Sequence, residues 1–527
     1  MADDVAVYRG IRFGRAERFR PSEPVPLTDM PAPGGEFGPA AMQAPDKLDY
    51  IWGEKLWKVC DEKDCLTLNI WTPAADNARR PVMVWIHGGA FVIGSGRWGW
   101  YEGTRLVQRE QVVLVTVNYR LGAFGFLDLS ATGNSKYAAA ANCGLLDQIA
   151  ALRWVKEYIE RFGGDPDCVT VFGESAGGIS ISCLLACPQA RGLFRRAICM
   201  SGPPSMVRSK EFAGRVTEKL MRFTGVDSAE KLATIPAAAL LAAQDTTIRS
   251  ADFLGELLYA PTIDGTVLPE PPLHAIRAGS AASVTLLTGT TLDEARLWSL
   301  YNRILRVLPV GALDRWFRSL GLDPGAVRAA YRQARPELGL GTLAMAVAGD
   351  SLFWLPQIRL AEAQAAHRPD TRMYLIAWQT PVLGGRLGVP HAVEEPMMFG
   401  NLDAKGAEYM IGNEPDQAAD RQAFSRAMQR AWAAFARTGD PSHAGLPEWP
   451  AYETATRATM VLDRACRVEN DPLSPIRRVW DKLAFDGVHP AVEELPRIAD
   501  ITRYLAVRGL LVLAAAGLIA VALWLAL

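Results

Sequence analysis

Val169-Thr-Val-Phe-Gly-Glu-Ser-Ala-Gly-Gly178 decides the fold. Val169, Val171 and Phe172 are β-formers, so the stretch opens as a buried strand. Gly173 and Gly177 flank Ser175 in the pattern Gly-x-Ser-x-Gly, and Ile179 to Leu185 begins a helix of apolar and small residues. A serine between such a strand and helix sits on a strained turn. Glycines on either side, lacking a Cβ, let neighbouring backbone pass close by. The hydroxyl then stands above the sheet, and the backbone N–H of Ala176 faces the position where an oxyanion would form.

Upstream, Gly163-Gly-Asp-Pro-Asp167 punctuates the chain, and before it Leu145, Ile149, Leu152, Val155, Ile159 and Phe162 recur at helical spacing. Pro81 to Ile86 is a continuous apolar run, as expected of a strand buried on both faces. It ends in His87-Gly-Gly-Ala-Phe91, where small residues let N–H groups converge; Gly89 and Ala90 join Ala176 as oxyanion donors. Further strands are predicted at 66–73, 112–118, 196–202, from Leu286, and at 372–378. Helix is predicted over 212–251, through most of 295–366 with breaks at Pro309 and Pro356, and over 416–437. Strands alternating with helices give an α/β fold with a parallel, doubly wound sheet.

A serine hydroxyl needs a base, and histidine takes a proton near neutral pH. Of six histidines, His391 follows a predicted sheet strand and lies downstream of a strand tip carrying Asp293 and Glu294. Ser175, then Glu294 or Asp293, then His391 is the order that an elbow serine requires.

The chain has 527 residues, 49% of them hydrophobic, and a net charge of −1. That is ample for a large core and gives no basic footprint for nucleic acid. The eight cysteines form no Cys-x-x-Cys pair and no metal spacing, so no cofactor or metal is expected. Cys183 and Cys187 read as buried small hydrophobes, and spacing leaves a Cys60–Cys65 bridge undecided. The N-terminus has no basic or apolar signal region. Gly509–Leu527 carries no charge. As a helix it is roughly 28 Å long, close to a bilayer core. Residues 505–527 are therefore expected to be a C-terminal transmembrane anchor after a linker at 486–504, with residues 1–485 as the catalytic domain. Arg503 and Arg508 put that domain on the cytoplasmic side.

Taken together these stretches resemble the type-B carboxylesterase and cholinesterase family of α/β-hydrolases. The matching motifs include Tyr8-Arg-Gly-Ile-Arg-Phe, Asp64-Cys-Leu-Thr-Leu-Asn-Ile, Trp85-Ile-His-Gly-Gly-Ala-Phe, Asn118-Tyr-Arg-Leu-Gly and Asn142-Cys-Gly-Leu-Leu-Asp-Gln. Phe172-Gly-Glu-Ser-Ala-Gly-Gly, Gly289-Thr-Thr-Leu-Asp-Glu, His391-Ala-Val-Glu-Glu-Pro and Thr438-Gly-Asp-Pro continue the series in family order. The style is closest to bacterial p-nitrobenzyl-esterase-like members. The resemblance implies ester hydrolysis through an acyl-enzyme, with Ser175 as nucleophile, Glu294 as acid and His391 as base. It also implies an oxyanion hole at Gly89, Ala90 and Ala176, and Glu174 as an acid beside the nucleophile that orders water.

Several residues depart from the family. Ala295 stands where the family has glycine, and Lys63 where it has an acid, which puts a family salt bridge in doubt. Cys65 lacks its usual partner, and Trp57 is the residue to compare with the cholinesterases' cation-binding tryptophan. Trp98, Trp100, Tyr101, Phe353 and Trp354 are further aromatics to test against the gorge. The competing readings are a non-catalytic esterase-like adhesion module and a lipase acting on its own membrane. The substrate is a small-molecule ester of unspecified structure, and the oligomeric state is left open.

Overall fold

The structure is a computed structural model that describes residues 5–250, 255–300, 310–483 and 487–489. Its centre is a sheet of ten strands, here numbered along the chain: β1 Ala6–Arg12, β2 Thr67–Thr72, β3 Arg80–Ile86, β4 Val113–Val117, β5 Gly164–Glu174, β6 Arg196–Met200, β7 Thr285–Thr291, β8 Arg372–Ile376, β9 Ala458–Leu462 and β10 Arg467–Asn470. The spatial order is β1-β2-β4-β3-β5-β6-β7-β8-β9-β10. From β4 to β9 every neighbouring pair is parallel. The two ends, β1–β2–β4 and β9–β10, are antiparallel. Strands β2, β3, β4, β6, β7 and β9 and the second half of β5 are buried almost throughout, and in β3 and β4 this matches the apolar runs in the sequence.

Register brings the functional ends together. Ile86 pairs with Gly173, Glu174 with Met200, Met200 with Gly289, and Ile376 with Thr291. The loops leaving β3, β5, β6, β7 and β8 therefore emerge at one carboxyl edge, where open α/β sheets bind ligands.

Helices cover both faces. Helix α1, Cys143–Tyr158, continues into a tight turn to Phe162 and is stopped by Gly163 in the left-handed region (φ 80°). Helix α2, Ala176–Ala186, is buried along its whole length, so it lacks the polar face of a surface helix. Helix α3, Leu355–Ala365, and helix α4, Glu395–Phe399, lie further along, and α5 spans Ala418–Thr438.

Some expectations need correction. The predicted helix over 212–251 is three helices, Lys210–Thr224, Ala229–Thr234 and Ala237–Arg249, with Gly225 and Pro236 at the breaks. Pro356 does not break its helix. Helix Leu340–Gly349 runs through a π-turn, Asp350–Trp354, directly into α3, and Pro356 occupies the first turn of α3. There the wider π-turn removes the i−4 partner whose carbonyl a proline ring would strike. The Cys60–Cys65 bridge is absent: all eight cysteines are free, and the Cys60 and Cys65 thiols point to the carbonyls of Trp57 and Glu62. Lys63 costs no salt bridge here, because Glu62 beside it holds Arg18 at 2.5 and 2.6 Å.

The expected transmembrane segment at 505–527 and most of the linker at 486–504 lie outside the described residues, as does Pro309. Among the described residues no helix is long and apolar enough to cross a membrane.

Candidate active site

Ser175 has φ 56° and ψ −122°. A non-glycine residue in that conformation is strained, and it persists only when the surroundings enforce it. Three glycines make the enforcement possible. A Cβ on Gly177 would fall inside the carbonyl oxygen of Ile86; one on Gly173 would lie 2.6 Å from the same oxygen; and one on Gly178 would meet Gly202. The α2 backbone can thus pack directly on β3 and β6, and the turn between β5 and α2 has to be sharp. Ala90, Phe91, Ser201 and Ala392 are also non-glycine residues with positive φ, and all four lie in the loops around Ser175.

His391 follows β8 after a long loop and is buried. Its Nδ1 hydrogen-bonds to Glu294 Oε2. The other Glu294 oxygen accepts the Ser201 hydroxyl at 2.6 Å and the Thr291 N–H at 2.8 Å. Its neighbour is used differently: Asp293 binds Arg335 at 2.9 Å and Arg296 at 3.1 Å and accepts the Val389 N–H at 3.1 Å. Of the two acids, Glu294 is the one that touches the His391 imidazole. Trp298 and Phe353 pack on the His391 ring at 5.2 and 5.0 Å. Nε2 is buried and makes no hydrogen bond, and His391 lines the same cavity as Ser175.

The loop after β3 carries the predicted donors. Gly89 has φ 104°, and its carbonyl accepts from Val92 and Ile93, which curls the loop into a tight turn. Among the described hydrogen bonds none uses the N–H of Gly89, Ala90 or Ala176. Gly89 and Ala90 line the cavity beside Ser175, and Ala176 opens the first turn of α2. His87 stacks on Tyr119 at 4.4 Å and is wholly buried, which pushes its pKa down to about 4. It is a neutral brace of this loop: its Nδ1 donates to Gly88 O and its own carbonyl accepts the Tyr119 hydroxyl.

The cavity holds about 80 Å³ and its walls are largely apolar, with Trp52, Trp98 and Trp298 prominent. Trp52 and Trp98 stack at 5.3 Å. Trp57 is not part of the wall; its indole donates to Asp49. Of the other aromatics singled out in the sequence, Trp98 lines the cavity, Phe353 packs on the His391 ring, Trp100 packs edge-on against Trp52, and Trp354 lies in a separate core with Tyr331 and Ile358. Among the described residues no cluster could hold a metal ion.

A strained serine over a parallel sheet, a histidine held by a buried glutamate and a glycine loop with free N–H groups share one cavity. Comparison with known proteins gives this arrangement a family. The model of the carboxylesterase family matches residues 1–308 and 332–478. The chain belongs to the carboxylesterase family. It is 39% identical over 481 residues to the para-nitrobenzyl esterase of Bacillus subtilis, covering 89% of this chain and 94% of that one. It is 32% identical to the phenmedipham hydrolase of Pseudarthrobacter oxydans, covering 90% and 95%. A carboxylesterase of Geobacillus stearothermophilus superposes with a TM-score of 0.81 at 40% identity, covering 91% of this chain and 97% of that one. The carboxylesterase is accordingly a carboxylic ester hydrolase, and the expected α/β-hydrolase architecture holds.

Sequence reasoning did not find Ser201, Trp52, Trp298 or Glu395 as parts of this site. Ser201 was visible only as the end of a strand. The others acquire a role only through loops that fold back over the sheet edge.

Proposed function

We propose that the carboxylesterase cleaves small uncharged esters with Ser175 as nucleophile, His391 as base and Glu294 as the acid that orients the base. The hydrogen bond between Glu294 and His391 Nδ1 carries this reading, because it leaves Nε2 as the one ring nitrogen able to take a proton on the cavity side. His391 Nε2 takes the Ser175 Oγ proton as Oγ bonds to the ester carbonyl carbon. The carbonyl oxygen, now negative, is received by the N–H groups of Gly89, Ala90 and Ala176. When the tetrahedral adduct collapses, the proton passes from His391 to the alcohol oxygen and the alcohol leaves. Water then attacks the acyl-enzyme with His391 again as base, and Ser175 recovers its proton as the acid is released. The three tryptophans give the cavity affinity for flat apolar groups, so aryl and benzyl esters are the substrates this wall favours.

Ser175→Ala should lower kcat on an aryl ester by about 10⁴-fold or more. A fluorophosphonate probe should label the wild-type protein at Ser175 alone. Unchanged turnover in the variant would sink the assignment.

The uncharged run at Gly509–Leu527 supports attachment of domain 1–485 to a bilayer through residues 505–527, with the linker at 486–504 between them. Arg503 and Arg508 support a cytoplasmic catalytic domain. Full-length protein should then need detergent, and protein ending at Arg503 should not. Full-length protein that stays in the supernatant without detergent defeats the attachment.

A further inference from the structure

Glu174 and Glu395 are buried and line the catalytic cavity with His391; Glu174 Oε1 stands 3.1 Å from His391 Nε2 without a hydrogen bond. A second cavity, of about 510 Å³, shares none of these residues and opens past the end of α4. Four arginines line it: Arg105 and Arg109 from helix Thr104–Glu110, and Arg421 and Arg426 from α5. Among the described residues on its wall Asp403 is the only carboxylate.

The fold holds these guanidinium groups close together. Arg105 Nη1 donates to the Gly400 carbonyl at 3.0 Å. Arg109 Nη1 reaches the same residue, since a Cβ on Gly400 would lie 3.0 Å from it. Gly400, at φ 79°, ends α4 in the left-handed region and leaves that space open. Arg109 Nη1 also donates to Gln429 Oε1 at 3.0 Å. The Gln429 amide is fixed in turn, its Nε2 donating to Ser425 Oγ at 3.1 Å and to Met397 O at 3.3 Å. Arg421 is only 6% exposed. Its Nη2 donates to Glu414 O at 2.8 Å, while its Nη1 is buried with no hydrogen bond, 3.7 Å from Glu414 Oε2.

The charges around this cavity do not balance. Asp403 pairs with Arg105, at 2.8 Å through Nη2, and Glu414 stands off Arg421. Among the described residues no ion pair reaches Arg109 or Arg426. Burial, with the Arg426 and Arg105 charges beside it, pulls Arg109 down from its ordinary value, and Glu110 offsets this only in part. Like charges that converge on a cavity repel, and an anion entering there relieves the repulsion. Planar guanidinium groups with N–H donors to spare suit a phosphate, whose oxygens they engage in pairs. The cavity has the volume of a small-molecule site, with room for more than the phosphate group alone.

We propose that this cavity binds an organic phosphate, with Arg109 and Arg426 as its charge partners and Arg421 Nη1 as a buried donor. The site is separate from ester hydrolysis and does not depend on it. A soluble phosphate compound and a phospholipid headgroup both carry this chemistry.

The test uses full-length protein at low ionic strength, where exposed charges are least screened. Inorganic pyrophosphate is titrated calorimetrically, and phosphatidic acid vesicles are tested by co-sedimentation against phosphatidylcholine vesicles. Binding should weaken about tenfold or more in Arg109→Gln/Arg426→Gln, because each arginine supplies hydrogen bonds to a charged group. Arg191→Gln/Arg195→Gln removes the same charge from exposed positions elsewhere and should bind as the wild type does. If the first variant loses pyrophosphate binding, the ligand is a soluble phosphate compound; if it loses only the binding to phosphatidic acid, the ligand is a headgroup. No binding of either probe, binding that survives in Arg109→Gln/Arg426→Gln, or equal losses in the two double variants overturns the proposal. If Arg109→Gln disturbs the fold through Gln429, Arg426→Gln alone decides by the same outcomes, because that side chain is exposed and holds no other group in place.

Discussion

Ser201 donates its hydroxyl to Glu294 Oε1 at 2.6 Å, and Glu294 in turn holds His391 through its other oxygen. Both residues leave the carboxyl ends of adjacent parallel strands, β6 and β7, so their spacing is fixed by sheet register rather than by loop flexibility. A carboxylate whose lone pairs are engaged by Ser201 and the Thr291 N–H cannot swing away from the imidazole. Ser201→Ala removes one bond to a charged group, worth about 1.5–3 kcal/mol. We expect kcat to fall roughly 10- to 100-fold, in keeping with that energy, with KM little changed. Steady-state kinetics on an aryl ester provides the check; an undiminished kcat would show that Thr291 alone suffices.

The elbow should tolerate no side chain at Gly177. A methyl there collides with backbone carbonyls of both Ile86 and His87, and neither β3 nor α2 can retreat without opening the core. Gly177→Ala is expected to give misfolded or inactive protein. Gly214, within helix Lys210–Thr224, makes the contrast, because a Cβ there meets nothing within 4 Å. Gly214→Ala should stabilise the helix by about 0.5–1 kcal/mol. Thermal melts of the two variants should therefore move in opposite directions.

Buried titratable groups give stability a defined pH dependence. Glu174 and Glu394 are raised well above the carboxylate range by burial, Glu395 is raised to about 8 and Asp350 to about 7. Each is protonated in the folded protein and ionised in the unfolded chain between about pH 4.5 and its folded value. The folded state then binds more protons, so stability falls as pH rises through that window. His87 and His489 act oppositely. Burial lowers both to about 4, so the unfolded chain binds more protons below about pH 6.5, and their contribution is lost as pH falls. Above pH 6.5 only the carboxyls remain. The melting temperature should decline from pH 6.5 to 8, and Glu395→Gln should flatten that decline. A melting temperature that rises across this interval would contradict the burial of the cluster.

How far the sequence could be read follows from these elements. Strands β3 and β4 are apolar on both faces and announce themselves as runs, and the elbow is marked by glycines whose reason is local. The edge strands are quieter. β1 contains Gly10 in the left-handed region, and its pairing with β2 shifts between Tyr8 and Ile11, which breaks the two-residue alternation. β10, Arg-Val-Glu-Asn, is an exposed polar edge with no apolar face to detect. The order Ser175, acid, His391 was legible along the chain, and only the family resemblance chose Glu294 over Asp293; in the structure Glu294 touches His391 while Asp293 is taken by Arg335. Trp57, the residue compared with the cholinesterases' tryptophan, donates to Asp49 instead, and Trp52, which the sequence did not single out, lines the cavity.

The division of labour between Asp293 and Glu294 yields the sharpest experiment. Both side chains are buried, yet they face different partners. Arg335 is 4% exposed and depends on Asp293 for its buried ion pair; Glu337 provides only an exposed partner on its other side. Asp293→Asn leaves the Arg335 guanidinium short of a countercharge, and breaking a buried pair in this way costs about 3–5 kcal/mol. Folded Asp293→Asn enzyme should nevertheless turn over ester at close to the wild-type rate per active site, counted by probe titration. Glu294→Gln should do the reverse. The amide still packs among Ser201, Thr291 and His391, so the melting temperature should stay near the wild-type value. Its charge is gone, however, and the imidazolium formed when Ser175 attacks has no counterion, so kcat should fall on the order of 10⁴-fold. If Asp293→Asn lost catalysis per site while Glu294→Gln kept it, the acid would have been assigned to the wrong neighbour.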